Sequence, residues 1–168
     1  MIAAHVIYGQ GGRLTSLGMD KLADRIRMLR APVLMWGWRE YDKIIRVVAE
    51  QVKRGRVPVI AGYSLGANSA SWIAHELPQV TFALLALIDP SNGLPWLGLP
   101  ARVYPIGLNV KRTIHFKNVG PSILGHSAIV GNNVEVRKVV GWHPLLDFDE
   151  SIQKAIVDAV QQVVAPKP

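Results

Sequence analysis

The chain has 168 residues, of which 49% are hydrophobic and 18% charged, a composition that excludes a disordered or fibrous protein and fits one globular domain. It contains no cysteine, which excludes disulfide bonds, a thiolate nucleophile and a thiolate metal site. The formal net charge is +7, but basic and acidic residues are interleaved on two predicted helices. That pattern is more typical of a solvated surface than of a nucleic-acid-binding surface.

No uncharged stretch reaches the roughly 18 residues that a membrane-spanning helix needs. The N-terminus also lacks the basic start and long apolar run of a secretion signal. We therefore expect a soluble, cytoplasmic protein that has no membrane span and needs neither cofactor nor metal. Residues 1–164 are expected to form a single domain and residues 165–168 a flexible tail.

Strands and helices alternate along the chain. Strands are predicted at 3–8, 33–36, 57–61, 81–88, 113–119 and 134–140, where β-branched and other apolar residues cluster between turn signals. Helices are predicted at 16–30, in a segment ending near residue 55, at 65–77 and at 150–164, where apolar residues recur at helical spacing. This order predicts an α/β fold with a mostly parallel sheet and helices on both faces.

The turn Gly62-Tyr63-Ser64-Leu65-Gly66 joins a predicted strand to a predicted helix. Glycines on both sides of a serine allow a sharp, strained turn that places the serine at the carboxyl edge of the sheet. At the start of a helix, the backbone N–H of Leu65 can donate to a developing oxyanion. Ser64 is therefore the candidate nucleophile, the alternative being a serine that only caps the helix.

A nucleophilic serine needs a base, and the base needs an acid that orients it. Asp89 directly follows a predicted strand and is our candidate acid, although an Asp-Pro step is also a common turn. Two of the five histidines fall in loops at the same edge: His143, after the last strand, and His126, in the loop 120–133. We favour His143 as the base and keep His126 as the alternative.

The order of Ser64, Asp89 and His143, with the turn after a central strand and a histidine before the last helix, resembles the α/β-hydrolase superfamily. The resemblance implies a minimal member without a lid domain, and a second oxyanion donor in the loop after the first strand, where the N–H of Gln10 lies in a glycine-rich stretch. Members usually carry the acid one strand later than Asp89.

The resemblance implies a serine hydrolase that acts on a small-molecule acyl substrate, an ester or a thioester, through an acyl-enzyme. Three of the five tryptophans, Trp38, Trp96 and Trp142, fall on predicted loops at the same edge and would line an apolar substrate pocket. They could equally cover the end of the sheet or a dimer contact; the sequence does not determine the oligomeric state. A hydrolase-shaped binding module without turnover and a basic nucleic-acid-binding scaffold remain as alternative functions.

Overall fold

The computed structural model describes residues 1–92, 102–120 and 124–165. Within them lies a six-stranded sheet formed by β1 (Ile2–Ile7), β2 (Val33–Trp36), β3 (Val57–Tyr63), β4 (Leu84–Ile88), β6 (Thr113–Asn118) and β8 (Val134–Val139). Their order across the sheet is β2-β1-β3-β4-β6-β8, and every neighbouring pair is parallel. Because all six strands run the same way, the loops that follow them meet at one edge of the sheet.

Four helices cover the two faces of this sheet: α1 (Leu17–Met28), α2 (Tyr41–Lys53), α3 (Leu65–Glu76) and α4 (Glu150–Val164). Helices α1 and α4 pack on one face, where Leu22 and Ile156 are fully buried. Helices α2 and α3 pack on the other, where Ile44 and Ile73 are fully buried. The central strands β3 and β4 are apolar and buried on both faces because each face is covered. This confirms the mostly parallel α/β fold predicted from the sequence.

A second sheet has two short strands, β5 (Val103–Pro105) and β7 (Ala128–Val130), which pair in parallel. The sequence analysis assigned residues 120–133 to a loop, and that prediction is wrong for β7. Strands of three residues, with one buried side chain in β7 and none in β5, are too short to show an alternating pattern. Their apolar residue Ile129 extends the core on the α3 side.

Most predicted element bounds differ from the observed ones by one to three residues, which is usual at element ends. Helix α4 has the predicted bounds, whereas β4 begins at Leu84 rather than at residue 81. Phe82 instead forms an isolated bridge with Val110. Among the helices in the described part of the chain, none is both long and apolar enough to cross a bilayer.

Candidate active site

Ser64 lies in the sharp turn between β3 and α3. Its backbone has φ 54° and ψ −120°, a conformation that residues other than glycine rarely adopt. The flanking glycines are required by close approach: a Cβ on Gly62 would lie 2.4 Å from the carbonyl oxygen of Gly66, and one on Gly66 would lie 2.5 Å from that of Ile7. The turn therefore exists only because both positions lack a side chain.

The loop after β1 approaches the same turn. A Cβ on Gly9 would lie 3.1 Å from the Cβ of Ser64, so the backbone before Gln10 passes beside the serine. Among the described residues, neither the N–H of Gln10 nor that of Leu65 has a hydrogen-bond acceptor. One of these N–H groups follows the glycine beside Ser64, and the other belongs to the residue after the serine.

A series of hydrogen bonds connects Ser64, His143 and Asp89. The Nε2 atom of His143 is 3.0 Å from the Oγ of Ser64, and its Nδ1 atom is 2.6 Å from the Oδ2 of Asp89. Ser64 is 3% exposed and Asp89 is 1% exposed. The structure thus brings together the three residues that the sequence analysis selected as nucleophile, base and acid.

Asp89 follows β4 directly, with a left-handed backbone (φ 40°), and its N–H donates to the carbonyl of Phe116 on β6 at 2.8 Å. Burial by itself would raise the pKa of Asp89, but the hydrogen bonds and charges of His143 and His126 hold it below its ordinary value. The carboxylate is therefore ionised at neutral pH. At the end of β6, one strand later than Asp89, the residue is Asn118, which hydrogen-bonds to the backbone of Gly120 and Gly141.

His126, the alternative base, contacts the same carboxylate rather than the serine. Its Nδ1 atom lies 2.8 Å from Oδ1 of Asp89, the oxygen that His143 leaves free. Each oxygen of Asp89 therefore has one imidazole partner. No hydrogen bond links His126 to Ser64.

Tyr63 supports His143 and was not identified from the sequence. Its ring stacks on the imidazole with centroids 5.2 Å apart, and its hydroxyl donates to the carbonyl oxygen of His143 at 2.5 Å. Burial raises the pKa of Tyr63, and the negative charges of Asp147 and Asp89 add to this. The hydroxyl therefore stays protonated and remains a donor. The feature of the sequence that could have identified Tyr63 is its position inside the glycine-serine turn, directly before Ser64.

A cleft of about 320 Å³ opens beside Leu65, the residue after the serine. Four of the nine lining residues are aromatic, and the full set is Trp38, Tyr41, Leu65, Asn68, Ser69, Trp72, Asn92, Arg102 and Tyr104. Of the tryptophans predicted for a pocket, Trp38 lines this cleft. Trp142 is 69% exposed and is not among the lining residues, and Trp96 lies outside the described residues.

The three remaining histidines make no hydrogen bond to Ser64, His143 or Asp89, although His115 on β6 is close enough to interact with the charges of Asp89 and His126. His5 is buried in β1 and hydrogen-bonds to Gln51 and Trp36, while His75 is exposed on α3. Burial lowers the pKa of His5 and of His115 to about 4, so both are neutral near pH 7. Among the described residues, no group of three or more potential metal ligands comes together.

No protein-family model matches this chain, and its sequence matches no curated protein. Solved structures do match. A candidate hydrolase of the α/β superfamily from Xanthomonas campestris pv. campestris superimposes with a TM-score of 0.66 at 16% identity, over 98% of each chain. A serine hydrolase without a lid from Xanthomonas campestris gives a TM-score of 0.65 at 16% identity, over 100% of this chain and 86% of the other.

The chain has the α/β-hydrolase fold. The mouse α/β-hydrolase domain-containing protein 10 has the same fold, with a TM-score of 0.65 at 13% identity over 96% of this chain and 89% of the mouse chain. Other proteins with this fold include an esterase from Pyrobaculum calidifontis and a type II thioesterase from a yersiniabactin pathway. The match to the lidless hydrolase agrees with the minimal fold expected from the sequence.

Proposed function

We propose that this protein is a serine hydrolase that cleaves carboxylic esters or thioesters through a Ser64-His143-Asp89 catalytic triad. The observation that carries the proposal is the hydrogen bond of 3.0 Å between Ser64 Oγ and His143 Nε2, continued at 2.6 Å from His143 Nδ1 to Asp89. A serine hydroxyl is a poor nucleophile until an adjacent base removes its proton. This arrangement provides that base and the carboxylate that orients it.

In the first half of the reaction, the Oγ of Ser64 attacks the carbonyl carbon of the substrate. Its proton passes to Nε2 of His143, and the ionised Asp89 stabilises the resulting imidazolium. The carbonyl oxygen becomes an oxyanion that accepts hydrogen bonds from the N–H groups of Leu65 and Gln10, which have no other acceptor among the described residues. The imidazolium then protonates the leaving alcohol or thiol as its bond to the carbonyl carbon breaks.

The second half releases the acyl group from Ser64. His143, now neutral, removes a proton from a water molecule, whose oxygen attacks the acyl carbon. The same N–H groups stabilise the second oxyanion, and the serine oxygen leaves with the proton returned by His143. The products are the carboxylic acid and the free enzyme.

The aromatic cleft is the proposed binding site for the acyl group. It is adjacent to Leu65, one residue from the nucleophile, and the rings of Trp38, Trp72 and Tyr104 offer flat apolar surface. A volume of about 320 Å³ is at the small end of the range for small-molecule sites. We therefore expect acyl groups of modest size, flat or aliphatic.

Labelling with a fluorophosphonate probe tests the nucleophile, because only an activated serine reacts with it. The wild-type protein should label, and Ser64→Ala should not. The His143→Ala variant should label far more slowly and lose at least about a thousandfold in kcat on p-nitrophenyl esters. The exposed His75→Ala serves as the histidine control for labelling and kcat, both of which should stay at wild-type values; because the His75 ring contacts Trp72 in the cleft, KM is not part of this control.

A native, folded wild-type protein that neither labels nor turns over any substrate would contradict the proposal. The substrate panel contains short and long p-nitrophenyl esters and the corresponding acyl thioesters. The kcat/KM values across the panel identify the preferred acyl length and distinguish ester from thioester hydrolysis. Labelling that persists in Ser64→Ala would show that another residue is the nucleophile.

A further inference from the structure

His126 is a second imidazole at the acid of the site. Its Nδ1 atom is 2.8 Å from Oδ1 of Asp89, while His143 occupies Oδ2 at 2.6 Å. A base of the proposed reaction must reach the serine hydroxyl, and the atom that does so belongs to His143. The hydrolytic mechanism proposed above therefore leaves the function of His126 unassigned.

The backbone around His126 is held against the segment that follows Asp89. Ser91 and His126 form an antiparallel bridge. The N–H of Asn92 donates to the carbonyl of Gly125 at 2.9 Å, and the N–H of Ser127 donates to the carbonyl of Pro90 at 2.8 Å. These bonds set the position of the His126 ring relative to Asp89 from two sides.

The Asp89 side chain needs a second partner for two reasons. Rotation about the bond to a carboxylate is soft, so one hydrogen bond to His143 does not by itself define the plane of the group. The carboxylate is also almost fully buried, and a charged oxygen without a donor is costly there. A donor at Oδ1 satisfies that oxygen and defines the plane in which Oδ2 meets His143.

We propose that His126 is a positioning residue that donates its Nδ1–H to Oδ1 of Asp89 and so holds the carboxylate in the orientation that aligns His143 with Ser64. This role rests on the proposed hydrolase function. It assigns His126 to the acid of the triad and removes it from the candidates for the base. It also explains how an acid located directly after β4 is held there.

Three substitutions at position 126 separate this role from others. In His126→Asn, the amide nitrogen takes the place of Nδ1 and keeps a donor that cannot act as a base. In His126→Gln, the amide extends to the place of Nε2, so a polar group remains but the donor is displaced. His126→Leu keeps bulk and removes the donor altogether.

We expect His126→Asn to keep kcat within about threefold of wild type on a p-nitrophenyl ester. His126→Gln and His126→Leu should each lose about tenfold or more in kcat, with KM nearly unchanged, because misalignment of a reacting group slows the chemical step. If His126→Asn loses as much activity as His143→Ala, His126 is the base and the proposal is wrong. Equal losses in all three variants, or none in any, would also overturn it.

Proton NMR provides a readout that needs no turnover. Imidazole N–H protons bonded to a carboxylate resonate far downfield, so the wild type should show two such signals at neutral pH. His126→Leu should lose one signal and shift or broaden the one from His143, whereas His126→Asn should leave the His143 signal in place. An unchanged His143 signal in His126→Leu overturns the positioning role even if the protein proves not to be a hydrolase. Absence of labelling and turnover in the wild type would instead overturn the proposed function.

Discussion

Asp147 has an unusual environment for a carboxylate, and this leads to a quantitative prediction. It lies in the 3-10 helix His143–Phe148 and is fully buried. Among the described residues, neither of its oxygens has a hydrogen-bond partner of good geometry. Burial raises the pKa of Asp147 to about 6, although the backbone amides of Gly18 and Met19 and the charge of His143 oppose the shift.

The stability cost follows from the difference between the folded and unfolded pKa values. The ordinary pKa of the carboxyl is 3.8 and the folded value is about 6. A difference of about two units corresponds to about 3 kcal/mol. Between these pH values the folded state of Asp147 binds more protons than the unfolded state, so the free energy of unfolding falls as pH rises through this window. Above pH 6 the full cost is present.

The Asp147→Asn substitution removes this titration while keeping nearly the same shape. Its buried amide group needs an acceptor and can cost about 1 kcal/mol, but that cost does not depend on pH. The free energy of unfolding of Asp147→Asn relative to wild type should therefore increase by about 2 kcal/mol between pH 4 and pH 8. The buried histidines His5 and His115 titrate in the same window, but they do so in both proteins and cancel in the difference.

Urea unfolding followed by tryptophan fluorescence at pH 4, 5, 6, 7 and 8 measures this difference. The matched control is Asp158→Asn, which changes a half-exposed carboxylate paired with Lys154 on α4. The control should change stability by less than about 1 kcal/mol at every pH. A relative stability of Asp147→Asn that stays flat or falls from pH 4 to pH 8 would refute the reasoning.

Two further predictions concern the serine turn and the cleft. Gly62→Ala should lower the free energy of unfolding by about 1 to 3 kcal/mol in urea, since its Cβ would meet the Gly66 carbonyl at 2.4 Å. The control Gly37→Ala, whose Cβ would meet the Glu40 side chain at 3.5 Å, should lower it far less. Trp72→Ala, at a side chain that is 44% exposed, should raise KM for aromatic acyl esters several-fold while changing stability by less than about 1 kcal/mol. Equal costs for the two glycine variants, or an unchanged KM, would contradict these expectations.

The parts of this protein that the sequence alone determined are those encoded by local spacing. The glycines two residues on either side of Ser64 mark the strained turn in the sequence, and the clash that a side chain on Gly62 would make is with Gly66 of the same motif. Asp89 could be selected as the acid because it directly follows the next predicted strand after that turn. The central sheet and its helices could also be predicted, because each has a long apolar pattern of one period.

Only the tertiary structure decided how the two loop histidines divide their contacts. His126 and His143 both lie in loops at the same edge of the sheet, so chain order alone left either one as a possible base. The fold places both rings on Asp89 and brings only the Nε2 atom of His143 to Ser64. That outcome depends on how the segment around His126 pairs with residues 90–92, a contact between distant parts of the chain.

The cleft required the tertiary structure for the same reason. Trp38, Trp72 and Tyr104 come from a loop, a helix and a three-residue strand, and no spacing in the sequence relates them. Trp142 is next to His143 in the chain yet points to solvent, so proximity in sequence was a poor guide to the pocket. Local backbone requirements are encoded by a few adjacent residues, whereas a binding surface is assembled by packing between elements whose relative positions depend on the whole fold.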